Sequence, residues 1–133
     1  MAGLGDYPVA GVIRADDYAR AAKFYTEVLG FTPVRPPQMP GGTGMFAAGA
    51  GTMVTIYERP GMPAPQNTTL GFGVPPEKFD EVLADLRSKG VTFEEYDIPE
   101  IGLKTVDGVA DVMGMKSAWF LDSEDNILNV VGM

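Results

Sequence analysis

Apolar and polar positions run along this chain in two similar passes. Pro8 to Ala15 form a short apolar run ending at Asp16 and Asp17, the pattern of a buried strand whose acidic exit caps a helix. Tyr18, Ala21, Ala22, Tyr25, Val28 and Leu29 then recur at three- and four-residue spacing up to Gly30, which predicts an amphipathic helix over 18–29 lying on a sheet. FTPVRP predicts a strand broken by Pro36 and Pro37, and the Gly-rich PQMPGGTG a turn. GMFAAGAGTMVTIYE predicts two strands joined near Gly49 to Gly51. The proline-rich RPGMPAPQN can extend neither a central strand nor a helix and reads as a linker.

The second pass repeats the order. TTLGFGV is strand-like, and PPEKFDEVLADLRSKG is a helix with Phe79, Val82, Leu83 and Leu86 on one face and Gly90 at its end. VTFEEYDI returns as a strand, while MKSAWFLD and NILNVVG make a hairpin around Ser123, Glu124 and Asp125. Gly30-Phe31-Thr32 is matched sixty positions later by Gly90-Val91-Thr92. Two units are too few for a solenoid. The expected fold is α+β: two βαβββ modules whose mixed sheets curve around a central cleft. One domain over 1–133 is expected, with module one at about 7–59, a linker at about 60–67 and module two at about 68–133.

Composition changes this picture by subtraction. The chain has 133 residues and neither cysteine nor histidine, which removes disulfides, thiolate ligands, the cysteine nucleophile, the usual general base and the commonest nitrogen ligand for zinc or iron. Ten basic against eighteen acidic residues give a net charge of −8, which disfavours nucleic acid and anionic membranes as partners. That charge serves solubility or draws a cationic ligand. The opening MAGLGDYPVAGVIRADD has no basic region leading into an apolar run, and no stretch approaches the ~20 apolar residues of a membrane helix. A cytoplasmic location is expected.

Two segments carry a resemblance. ADDYARAAKFYTEVLGF is similar to the strand-to-helix passage, with Phe-Tyr and a closing Leu-Gly-Phe, of the vicinal oxygen chelate superfamily, which includes glyoxalases, extradiol dioxygenases and bleomycin resistance proteins. KSAWFLDSEDNILNVVG resembles that family's final hairpin, except that in Asp122-Ser123-Glu124-Asp125-Asn126 the residues Ser123 and Asp125 stand where the family's turn carries proline and glycine. The resemblance implies paired βαβββ modules and frequently a homodimer. It also implies four inward side chains, usually His, Glu or Gln, that hold a divalent metal. Aligned through the flanking motifs, those positions are Ala10, Thr55, Thr69 and Asn129, with Leu70 as the alternative to Thr69. None is charged, so no cofactor and no metal are expected.

From that alignment, period-two alternation puts Val12 and Arg14 on the face of Ala10, Met53 and Tyr57 with Thr55, and Ile127 and Val131 with Asn129. The candidate ligand-binding residues are Arg14, Phe46, Met53, Thr55, Tyr57, Thr69, Tyr96, Met113, Trp119 and Asn129. Core packing is the competing role for Met53 and Ile127, and Arg14 is either a solvated cation or a clamp for a carboxylate or aromatic ring. Trp119 and Phe120 must face opposite sides. The stretch 99–114 is either a lid hinged at Gly102, Gly108 and Gly114 or an edge strand with a flexible entry. The first functional reading is a metal-free module that sequesters an aromatic, amphipathic or cationic natural product or drug, as in antibiotic resistance. The second is a metal-independent natural-product tailoring enzyme, and the third a metal-dependent lyase or dioxygenase. No nucleophile and base pair is placed by the sequence, so catalytic residues are not assigned.

Overall fold

The computed structural model describes residues 3–34 and 42–133. It contains two compact units, Met1–Pro63 and Ala64–Met133. The expected turn in PQMPGGTG and the break at Pro36 and Pro37 lie largely outside the described residues.

In the first unit, β1 (Gly11–Ala15) leads to α1 (Tyr18–Lys23), followed by β2 (Thr32–Pro33), β3 (Thr43–Ala47) and β4 (Met53–Glu58). The strands lie in the order β1-β4-β3-β2, with β1 parallel to β4 and the other pairs antiparallel. Asp17 caps α1 by accepting from Arg20 N–H at 3.1 Å. The predicted helix over 18–29 changes pitch midway, and Phe24–Val28 form a π-helical turn. Thr26 Oγ1 donates to the Ala22 carbonyl at 2.8 Å, and Leu29 N–H reaches five residues back to Phe24. Strand alternation puts Ile13, Phe46, Val54 and Ile56 in the core beneath the helix. Tyr25 is fully buried against Phe31, with ring centroids 5.5 Å apart.

The second unit repeats this topology. β5 (Thr68–Val74) precedes α2 (Phe79–Ser88), a side hairpin of β6 (Asp97–Ile98) and β7 (Leu103–Lys104), then β8 (Ala110–Val112), β9 (Met115–Leu121) and β10 (Ile127–Gly132). The sheet order is β5-β10-β9-β8, with β5 parallel to β10. A fold with two mixed four-stranded sheets and one helix per unit is therefore α+β, as the two passes of the sequence pattern require. Phe79, Leu83 and Leu86 of α2 are buried, and each such side chain is worth about 1.5–3 kcal/mol of transfer free energy. Pro76 opens the helical segment and Gly90, at φ +92, closes it.

One expected strand is corrected. VTFEEYDI forms only a single bridge at Phe93 with Phe120 and the two-residue β6. Side chains there take the backbone groups that a ladder would have used. Thr105 Oγ1 accepts from Tyr96 N–H at 2.7 Å and donates to Glu95 Oε1 at 2.5 Å, and Glu95 Oε1 also accepts from Gly108 N–H at 3.0 Å. The stretch 99–114 holds β7 and the edge strand β8.

Candidate functional site

Each sheet has a face turned away from its helix, and register assigns its residues. In the first unit Val12, Thr55 and Met45 form one row, and Arg14, Tyr57 and Thr43 the next. Met53 pairs with Ala47 on the same face. Met53, Thr55 and Tyr57 are half-buried, whereas Val12 is 63% exposed. Arg14 is only 4% exposed, and its Nη2 lies 3.0 Å from Asp16 Oδ1. The solvated-cation alternative for Arg14 is thus corrected: its charge is buried and paired with a carboxylate two residues on. Asp16 is itself anchored, accepting from Gly61 N–H at 3.3 Å.

Phe46 is corrected too. It is 1% exposed on the helix side of the sheet, with its ring centroid 6.3 Å from that of Tyr18, because its register partner is the core residue Val54. Met113 is 92% exposed at the turn between β8 and β9, with φ 54. Ala10 precedes β1 and is exposed.

In the second unit one row crosses the sheet as Gly71, Asn129 and Trp119, and the next as Gly73, Val131 and Ser117. Phe120 is buried on the helix side, ring against Phe93, so the indole of Trp119 takes the open side. It meets Tyr96 edge to face, with centroids 5.7 Å apart and planes at 79°. Burial, then the negative charge of Glu94, push the Tyr96 phenol above its ordinary pKa of 10.0, so it stays a neutral donor. Thr69 does not stand opposite Asn129. The register shifts between Ile127 and Leu128, pairing them with Thr68 and Leu70, and Thr69 is the extra residue of the bulge. Its hydroxyl instead donates to the Asn67 carbonyl at 3.5 Å. The alternative Leu70 pairs with the buried Leu128 on the helix side.

Sequence reasoning missed Gly71 and Gly73, although glycine at alternate positions of TTLGFGV signals one bare strand face. It also missed the Glu95, Thr105 and Gly108 bonds that hold Tyr96 in place. Grooves of about 540 and 530 Å³ lie beside α1 at Asp17, Lys23 and Thr26, and at Arg87, Phe93 and Asp107.

A divalent ion does not fit these donors. Alanine offers none, threonine hydroxyls and an asparagine amide are neutral, and the row neighbours of Thr55 and Asn129 are Val12, Met45, Gly71 and Trp119. Among the described residues no three His, Cys, Asp or Glu side chains gather into a metal-sized group. No helix among those residues is long and apolar enough to cross a membrane.

Comparison with known proteins places the fold. The family described as Glyoxalase/Bleomycin resistance protein/Dioxygenase superfamily matches residues 8–98. A glyoxalase/dioxygenase from Nostoc punctiforme is similar in structure, with TM-score 0.68 and 13% identity over 98% of this chain and 94% of that one. Lactoylglutathione lyase from Agrobacterium tumefaciens gives 0.68 and 19% over 94% and 92%. A point mutant of the fosfomycin resistance protein FosX from Listeria monocytogenes, complexed with Mn(II) and 1S,2S-dihydroxypropylphosphonic acid, gives 0.64 and 14% over 94% and 89%. At these identities the likeness is one of fold. No curated protein matches the sequence.

Proposed function

We propose that this chain, which belongs to the glyoxalase/bleomycin resistance protein/dioxygenase superfamily, binds and sequesters an aromatic or amphipathic organic molecule without a metal. One observation carries the reading. Where a metalloenzyme of this fold would need charged donors, the second unit presents a neutral carboxamide, two glycines and an edge-to-face Trp119–Tyr96 pair. Aromatic side chains supply large contact area at low entropic cost, and one placed amide orients a ligand without reacting with it. The Mn(II) chemistry of the FosX complex has no counterpart in this donor set. The net charge of −8 favours a cationic aromatic drug or natural product over an anionic one. Sequestration of that kind would confer resistance from the cytoplasm, and a homodimer is the proposed assembly.

The test is a thermal-shift screen of aromatic natural products and cationic aromatic drugs, run in chelator and followed by product analysis. Trp119 is the single tryptophan, so its quenching reports on this face alone. Binding in chelator with unchanged ligand supports the reading. Turnover without added metal replaces sequestration with catalysis, and a requirement for a stoichiometric divalent ion overturns the donor argument. Light scattering at micromolar concentration tests the dimer.

A further inference from the structure

Asn129 and Trp119 are direct cross-strand neighbours, yet their side chains lean apart. The Trp119 carbonyl accepts from Glu94 N–H at 2.7 Å on the side of β9 away from β10. The Trp119–Asn129 pair is therefore of the non-hydrogen-bonded kind, in which opposed side chains start closest, with Cα atoms about 4.5 Å apart. Ordinarily two such side chains would fill the space between them.

Here each is drawn outward by a separate partner. A Cβ placed on Gly71 would meet Asn129 Oδ1 at 2.7 Å, so the carboxamide occupies the space that the missing side chain leaves over β5. The indole goes the other way, onto the Tyr96 ring. Tyr96 cannot follow it inward, because its N–H is bound to Thr105 Oγ1 and its carbonyl accepts from Thr105 N–H at 2.9 Å.

The geometry points to a slot above the β9–β10 ladder for a planar ring system carrying an adjacent hydrogen-bond donor and acceptor, with Gly71 as the residue that sets its specificity. One wall is the indole of Trp119. The other is the Asn129 carboxamide, which offers one acceptor and one donor in a plane and so pairs with an amide-like edge. Gly71 keeps the slot open by giving that carboxamide somewhere else to lie. This inference rests on the open face of the second unit being the ligand site and adds the class of ligand that fits it.

Two probes of one shape separate the terms: 2-naphthamide, with donor and acceptor, and 2-acetylnaphthalene, with acceptor only. Calorimetric titration of the wild type is expected to show the amide binding about five- to tenfold tighter, the scale of one neutral hydrogen bond. Asn129→Ala removes that preference: the ketone loses the one bond its carbonyl accepts from the carboxamide N–H, the amide loses two, and the two affinities converge. Gly71→Ala folds, since the only clash is with the end of a flexible side chain. It pushes the carboxamide into the slot and weakens both probes about tenfold. Equal wild-type affinities for the two probes, or wild-type affinities in Gly71→Ala, overturn the slot alone. So does a wild type that takes up other aromatic compounds but neither probe. If no aromatic compound binds at all, the underlying ligand-site reading falls as well.

Discussion

Gly108→Ala tests how firmly the loop behind the aromatic pair is tied to the core. Gly108 is buried at φ +80, a backbone conformation that costs a residue with a Cβ about 1–2 kcal/mol. The new methyl would also stand 2.7 Å from Phe93 Cβ. Phe93 cannot yield cheaply, because its backbone bridges Phe120 and its ring packs edge to face on the Phe120 ring at 5.7 Å. Overpacking of that kind costs about 1–3 kcal/mol. The sum of about 2–5 kcal/mol is a sizeable part of the ~7–20 kcal/mol expected for a chain of this length. The variant should still fold but melt roughly 10 °C lower. Gly90→Ala is the internal control: φ is +92 there and nothing lies within 4 Å of the position its methyl would take, so only the backbone term of about 1–2 kcal/mol applies. Differential scanning calorimetry of the two variants isolates the clash, and Trp119 emission reports whether Tyr96 has shifted. A Gly108→Ala variant that melts no lower than Gly90→Ala would refute the claim that Phe93 is immovable.

The other predictions concern the hairpin turn, alkaline pH and metal. Asn126 is fully buried and its Nδ2 donates to Asp122 Oδ2 at 2.9 Å; Asn126→Ala should therefore cost about 2–4 kcal/mol in urea melts, because a buried carboxylate loses a partner. The folded-state pKa of Tyr96 lies above its unfolded value near 10.0, so its contribution to stability is full below pH 10 and is lost as pH rises through the folded value. Tyr96→Phe should remove that part of the alkaline destabilisation and the corresponding tyrosinate absorbance step. Dialysis against chelator should leave the melting temperature unchanged within about 1 °C, because donors this neutral give an ion no differential affinity for the folded state.

Much of the frame is legible in the sequence because local chemistry fixes it. Asp17 caps α1, Gly90 ends α2, and the alternation in MVTIYE and ILNVVG separates Ile56 and Leu128 from Thr55 and Asn129. Phe46 goes to the wrong face in a sequence reading because parity alone does not say which face a strand shows its helix. Only the pairing of Phe46 with Val54 decides that. The strand expected in VTFEEYDI fails for a different reason. Its apolar pattern is sound, but Thr105, nine residues beyond Tyr96, supplies a hydroxyl that captures the backbone first.

By itself the sequence determined which donor and nucleophile side chains the protein lacks and how its chain is punctuated. The absence of histidine and cysteine, the neutral residues at four aligned positions and the doubled βαβββ order are properties of residue identity, independent of where any atom lies. The tertiary structure alone decided which way each side chain leans. Asn129 turns to Gly71 and Trp119 to Tyr96 because strands distant in sequence bring an empty Cβ position to one and an aromatic edge to the other. Such space is a property of packed neighbours, and no local pattern encodes it.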